Sequence, residues 1–329
     1  MRDLNFRRRH LLATGAALLA APLRSALAAG DVASGRPITL VVSYPAGGGA
    51  DVMARLIAPR MADALGQPVI VENKPGASGT LAAAQVARAP ADGATLLLDA
   101  SSFAVNPALF DKLPYDPATA FAPLAVLALF PNVLVCTASF EARNVADVLR
   151  LARARPGALA YASSGNGSAQ HLAGALFEAQ AKVDMAHIPY RGGGPALNDV
   201  MGGQVPLFFA NLASSLGHIQ SGRLRALAVT SKLRSRALAD VPSLDEAGLK
   251  GYEVLEWNPV LVPAGVPALV RARLGAAIRK ALADPEVLAR VRALGGEVFG
   301  GGETEAASFL RAQQAQWGRV VRERRISRD

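Results

Sequence analysis

The residues able to carry chemistry in this chain are few, and their spacing suits holding an anion better than transforming one. Two runs of small residues each follow a short apolar run and open a helical pattern. The first is Thr39-Leu-Val-Val-Ser-Tyr-Pro-Ala-Gly-Gly-Gly-Ala-Asp51, leading into Val52-Met-Ala-Arg-Leu-Ile57. The second is Ala160-Tyr-Ala-Ser-Ser-Gly-Asn-Gly-Ser168, leading into Ala169-Gln-His-Leu-Ala-Gly-Ala-Leu-Phe177. Such a turn leaves backbone N–H groups bare at a helix N-terminus, where the macrodipole favours negative charge. Two of them, more than a hundred residues apart, suggest two lobes that close on one anionic ligand. Plain connections in an α/β fold can have the same composition.

Catalytic patterns are missing. Gly47-Gly48-Gly49-Ala50-Asp51-Val52 and Gly165-Asn166-Gly167-Ser168-Ala169-Gln170 both lack the third glycine of a dinucleotide fingerprint. No phosphate-loop motif and no G-x-S-x-G nucleophile elbow occurs. Beyond the leader the histidines are His171, His187 and His218, at spacings that match no metal site, so no metal and no cofactor is expected. His171 with Asp51 offers acid–base chemistry only in principle, since no third orienting group is readable; His171 is read as a polar wall. The single cysteine, Cys136, lies in the apolar run Asn132-Val-Leu-Val-Cys-Thr137 and reads as a small core residue, not a nucleophile.

The leader sets the compartment. Arg2, Arg7, Arg8 and Arg9 precede an Ala/Leu-rich stretch from Leu11 to Leu23, and Ser25-Ala26-Leu27-Ala28 supplies a small-x-small cleavage site. Residues 1–28 are therefore expected to be a signal peptide cleaved after Ala28, by the Sec or the twin-arginine route. As a membrane span the stretch is too short, and Pro22 and Arg24 interrupt it. The leader holds five arginines against Asp3, so the net charge of +9 falls to about +5 in the exported chain. Aromatic residues make up only 5% and do not interleave with basic ones, which excludes nucleic acid as an expected partner.

The elements that must position the two turns alternate strand and helix. Strands are expected at Ile38–Ser43, Val69–Asn73 and Ala94–Leu98, with helices at Ala50–Leu65 and Thr80–Ala89; Pro59 is expected to kink or break the first helix. The pattern restarts at Val133–Thr137 and Leu159–Ala162 and closes on helices over Pro267–Leu282, Pro285–Leu294 and Glu303–Arg324. Parallel α/β sheets place ligands at strand C-terminal ends. Ser78, Ser101 and Ser102 lie after such ends and join the candidate site, as do Tyr190 and Asn211. Arg191 is either a surface residue or the one cation near the cleft. Asp51 either caps its own helix or accepts a ligand ammonium.

A series of motifs in order along the chain resembles one family. Tyr44-Pro-Ala-Gly-Gly-Gly-Ala-Asp51, Val71-Glu-Asn-Lys-Pro-Gly-Ala-Ser-Gly79, Leu113-Pro-Tyr-Asp-Pro117, His187-Ile-Pro-Tyr-Arg-Gly192, Asp240-Val-Pro-Ser243 and Pro263-Ala-Gly265 are similar to the Bug-type (TctC-like) substrate-binding proteins of tripartite tricarboxylate transporters. The resemblance implies a two-lobed, Venus-flytrap α/β fold of the type II-like periplasmic binding class, each lobe a mainly parallel sheet flanked by helices. It implies lobe 1 from 36–132 plus 259–329 and lobe 2 from 133–258, with crossing segments near Pro131–Cys136 and Tyr252–Val262. Its ligand contacts map onto Ala46, Gly47, Gly48, Gly49, Ala50 and Asp51 in the first loop. In the second they map onto Ser164, Gly165, Asn166, Gly167 and Ser168, with His171.

The function implied is a periplasmic, monomeric, non-enzymatic receptor that hands a small carboxylate to membrane permease subunits. An exported α/β hydrolase or isomerase, or a module presenting ligand to a sensor, are the alternatives. Two departures bear on ligand and closure: Phe209-Ala-Asn211 lacks the acidic residue common before that Asn, and Asn258-Pro259 follows Trp257 where the family usually has glycine.

Overall fold

Short apolar runs separated by helical patterns give β1 (Ile38–Val42), α1 (Gly49–Leu65), β2 (Val69–Asn73), α2 (Thr80–Ala87) and β3 (Thr95–Leu98). β1 pairs in parallel with β2 on one side and β3 on the other, Leu40 facing Val71 and Leu96. The computed structural model describes residues 35–324 and Ile326; the leader expected at 1–28 lies outside the described residues. The chain continues through α3 (Ser102–Leu109), β4 (Phe121–Thr137), α4 (Val145–Ala154), β5 (Ala160–Ser163), α5 (Ala169–Ala181) and β6 (Ala186–Pro189). Then come α6 (Gly193–Met201), β7 (Leu207–Asn211), α7 (Leu212–Gln220), β8 (Leu224–Val229) and β9 (Leu255–Pro263). It ends on α8 (Ala268–Ala283), α9 (Pro285–Ala293), β10 (Glu297–Val298) and α10 (Glu303–Arg324).

The two-lobed plan turns on β4. Its residues from Phe121 to Pro131 pair antiparallel with β9, and from Asn132 to Cys136 they pair with β7, while β8 pairs along Val133–Thr137. The strand thus leaves one sheet and enters the other between Pro131 and Asn132. The chain returns at Leu255, which faces Pro131, directly after Val254 has donated to Thr230 in the second sheet. Strand order is β2-β1-β3-β9-β4-β7-β5-β6, with β8 and β10 also on β4. Parallel ladders stand where the alternation predicts them, in β2-β1-β3 and β7-β5-β6. The whole is a mixed sheet, because the crossing strands run against their neighbours.

Each lobe has its own core. Leu40, Met53, Ile57, Leu96, Leu274 and Ile278 pack between the first sheet, α1 and α8. Leu134, Tyr161, Phe177 and Phe209 pack in the second. Burying one such side chain contributes roughly 1.5–3 kcal/mol. α10 belongs to both: Ala306 and Leu310 pack with Trp257 and Leu261, whereas Trp317 and Val321 pack on the second core. The indole N–H groups of Trp257 and Trp317 both donate to Gln313 Oε1, at 3.3 and 2.9 Å. The segment 259–329, expected within lobe 1, therefore carries a helix whose last turns lie on the other lobe.

α1 runs unbroken through Pro59. The proline lacks the N–H for an i−4 bond, yet Ile57, Ala58 and Met61 are buried on both sides of it, and their packing holds the helix together. Cys136 is fully buried, and burial pushes its thiol pKa up.

Candidate functional site

The first loop is shaped by Gly47, at φ +81°, a left-handed conformation that glycine adopts without steric cost. Gly48 then caps α1 without a side chain, and the N–H groups of Gly49 and Ala50 stand in its first turn, where no intrahelical acceptor exists. Asp51 fixes this loop. Its carboxylate accepts from Gly47 N–H, Arg55 and Asn73 Nδ2, each at 3.0 Å. Burial pushes its pKa up, but those donors outweigh burial and hold it below the usual carboxylate range. The carboxylate caps no first-turn N–H of α1; it is engaged by Gly47 of its own loop, by Arg55 one turn along α1 and by Asn73 of β2.

The second loop is built around two stacked imidazoles. The rings of His171 and His187 lie 3.9 Å apart and within 2° of parallel. His171 Nδ1 accepts from Gly167 N–H at 3.1 Å, which places its own proton on Nε2. Burial depresses His171 to about 4, and burial together with His171 depresses His187 to about 3. His187 Nε2 meets Ser163 Oγ at 2.7 Å, and that oxygen accepts from Gly165 N–H. Ser168 caps α5, accepting from His171 N–H and donating to Gly165 O. His171 therefore shapes the loop from behind, as a wall. A methyl on Gly167 would strike Leu109 of α3, so this glycine is needed for packing between helices and not for approach to the cavity.

Two further helix N-termini arrive from the second lobe: that of α6, which the sequence reading did not place in the site, and that of α7, whose cap Asn211 was expected there. Gly192, at φ +128°, starts α6, and a methyl there would lie 2.3 Å from Pro45 of the first loop. Asn211 caps α7: its Oδ1 accepts from Ala213 N–H at 2.9 Å, which fixes the orientation of the amide. Asn211 is 5% exposed, and its Nδ2 has no hydrogen-bond partner among the described residues. It stands so near the first loop that a methyl on Gly49 would lie 2.7–2.8 Å from its amide atoms.

Between these loops lies a cavity of about 30 Å³, lined by Tyr44, Gly48, Gly49, Ala50, Ala100, Ser164, Gln170, Gly193, Asn211, Ser214 and Glu256. None of these is Lys or Arg. On the hinge side, Glu256 of β9 is 5% exposed. Its Oε1 accepts from the N–H groups of Ser101 (2.8 Å) and Trp257 (3.1 Å), and its Oε2 from Gln170 Nε2 (3.2 Å). Burial raises its pKa against those donors. Beside it, Asp99 is pushed up to about 7 by burial, with the charge of Glu256 adding to the shift and a hydrogen bond from Ser43 opposing it.

Gly48, Gly49, Ala50, Ser164 and Asn211 thus line the cavity among the expected site residues. Ala46 and Gly47 complete the first loop behind them, and Gly165, Asn166 and Ser168 complete the second. Ser78 Oγ donates to Asn166 O across the lobes at 2.5 Å. Ser102 accepts from Tyr44 Oη, and Ser101 uses its N–H on Glu256. Tyr190 is turned away: its hydroxyl donates to Asp199 at 2.8 Å, and Arg191 beside it is exposed. Tyr44, Ala100, Gln170, Gly193, Ser214 and Glu256 were missed. The run Arg191-Gly-Gly-Gly-Pro195 was the available signal for Gly193, whereas Glu256 sits in an apolar strand with no local mark. Among the described residues no group of three or more His, Cys, Asp or Glu could hold a metal ion, and no helix is long and apolar enough to cross a membrane.

Residues 53–326 match the family described as the tripartite tricarboxylate transporter family receptor. The chain is similar to the periplasmic binding protein BugD, at 34% identity and a TM-score of 0.85, covering 89% of this chain and 99% of that one. It is also similar to Rpa4515 of R. palustris, solved with adipate, at 36% identity and a TM-score of 0.86 over 89% and 99% of the two chains. MatC of Rhodopseudomonas palustris, solved with bound malate, matches at 33% identity and a TM-score of 0.83 over 88% and 99%. These are ligand-binding receptors and not enzymes.

Proposed function

Because the chain belongs to the receptor family of tripartite tricarboxylate transporters, we propose that it works in the periplasm, capturing a small carboxylate between its lobes and delivering it to membrane permease subunits. One observation carries this reading. Four helix N-termini and an unpartnered, buried Asn211 amide converge on a cavity without a cationic side chain. Each N-terminus contributes ~0.3–1 kcal/mol toward an anion, and each charge-assisted hydrogen bond ~1.5–3 kcal/mol. Together they suffice for micromolar affinity, about −8 kcal/mol.

The ligand atoms meet Gly49 and Ala50 N–H from one lobe and Gly193 N–H, Ser164, Ser214 and Asn211 from the other. A cavity of about 30 Å³ has room for roughly two waters, so a carboxylic acid enters only when the lobes separate. The crossings at Pro131–Asn132 and Val254–Leu255 are the hinge, and Pro259 lies inside β9 beyond it. The leader at 1–28 supplies export. A thermal-shift screen of the exported chain against C4 to C8 carboxylic acids tests the reading: at least one acid raises the melting temperature by several degrees at millimolar concentration. No shift with any acid overturns it.

A further inference from the structure

The proposed carboxylate site contains a carboxylate of its own, and this limits what its ligand can be. Glu256 comes from the crossing strand, where it faces Phe130, one residue from the point at which β4 changes sheets. The glycine loops meet elsewhere, where Gly49 approaches Asn211 and Gly192 approaches Pro45. The cavity therefore presents donors on its loop side and an acidic side chain on its hinge side. On the loop side, the Asn211 Nδ2 is buried, oriented by its cap bond and without a partner among the described residues, so it awaits an acceptor.

Three N–H donors converge on the two Glu256 oxygens and support its charge, against the burial that raises its pKa. The titratable groups around it are acids and phenols: Asp99 after β3 and Tyr44 after β1, both raised first by burial and further by the Glu256 charge. Asp99 stands beside Glu256, pushed up to about 7 by burial. Gln170 brings an N–H, and no cation lines the cavity. A second ligand carboxylate placed against Glu256 would meet a like charge with nothing between them, a contact disfavoured in a poorly solvated site.

We propose that Glu256 makes this receptor select a small monocarboxylate whose far end donates a hydrogen bond, an amino acid or hydroxy acid, over the dicarboxylate of the same length. The ligand carboxylate occupies the loop side, and its ammonium or hydroxyl group donates to Glu256 Oε2, which carries one N–H bond and has a lone pair left. This rests on the reading of the cavity as a carboxylate site.

Titration calorimetry on the exported chain tests it with length-matched sets: succinate, 4-aminobutyrate and 4-hydroxybutyrate, then adipate, 6-aminohexanoate and 6-hydroxyhexanoate. The wild type is expected to bind the amino or hydroxy acid of at least one set ten or more times more tightly than its diacid. Glu256→Gln, which keeps the shape of the side chain, should erase that ratio and strengthen diacid binding about tenfold. Diacids binding as well as their partners, or a ratio unchanged in Glu256→Gln, overturns the assignment and leaves the carboxylate receptor standing. Failure of every acid to bind either protein removes the underlying reading and this assignment with it. If Glu256→Gln does not fold, the wild-type ratios alone decide.

Discussion

A methyl group placed on Gly49 tests whether the lobes must meet at this residue for ligand to be held. The added carbon would lie 2.7 Å from Asn211 Cγ and 2.8 Å from its Nδ2 and Oδ1. An unstrained contact needs about 3.5 Å, so roughly 0.7 Å must be recovered by moving the amide or by leaving the lobes apart. Moving the amide breaks the cap bond to Ala213 N–H, a loss of ~1 kcal/mol. Either movement takes Nδ2 from the ligand oxygen, a loss of ~1.5–3 kcal/mol. Gly49→Ala should therefore weaken binding by ~2–4 kcal/mol, about 30- to 1,000-fold. Alanine is at least as good as glycine in a helix, so ligand-free stability should stay within ~1 kcal/mol of wild type. Calorimetry with the best acid from the thermal screen, beside denaturant unfolding, measures both. Adding Asn211→Gly restores the space, and the double variant should bind no more weakly than Asn211→Gly alone. Affinity of Gly49→Ala within threefold of wild type would refute the proposed closure.

Acid should loosen the second loop. The unfolded chain protonates His171 and His187 near pH 6.5, whereas burial holds them neutral in the fold down to about 4 and about 3. Their contribution to stability is thus complete above about pH 6.5 and is lost as pH falls from there toward 4. Denaturant melts should show a loss of ~2–4 kcal/mol over that window, reduced in His187→Asn; an equal loss in the variant would remove the imidazoles as its cause. Asp51→Ala leaves Gly47 N–H without its acceptor and takes one of two acceptors from Asn73 Nδ2, and should cost ~1–3 kcal/mol of stability in the same assay. An unchanged unfolding midpoint would show that the first loop holds its shape without that carboxylate. Small-angle scattering should give a smaller radius of gyration at saturating ligand, and an unchanged profile would rule out hinge closure.

What the sequence made legible were the elements whose signals are local. The two glycine loops, the parallel strands beside them and the helices behind them follow from turn residues and apolar periodicity. Some segments containing proline were hidden, although α1 was legible despite Pro59. Pro107 lies inside α3, Pro123 and Pro131 inside β4, and Pro259 inside β9, where packing from both lobes outweighs a poor local preference. The span of α10 over both cores depends on contacts between distant residues, with Gln313 joining two tryptophans. Within the site, glycine signals found the loops but could not separate Gly49, whose cavity face meets Asn211, from Gly167, which faces Leu109. Glu256 was invisible because its burial beside the cavity exists only after β9 has crossed between the lobes.

Backbone and amide donors, without a cation, are proposed to hold a carboxylate between the lobes. Calorimetric titration with the best-binding acid and with its primary amide, which has the same shape and no charge, tests it most directly. The acid should bind in the micromolar range and the amide at least ~100-fold more weakly, the loss of about two charge-assisted hydrogen bonds. Equal affinity for acid and amide would contradict it.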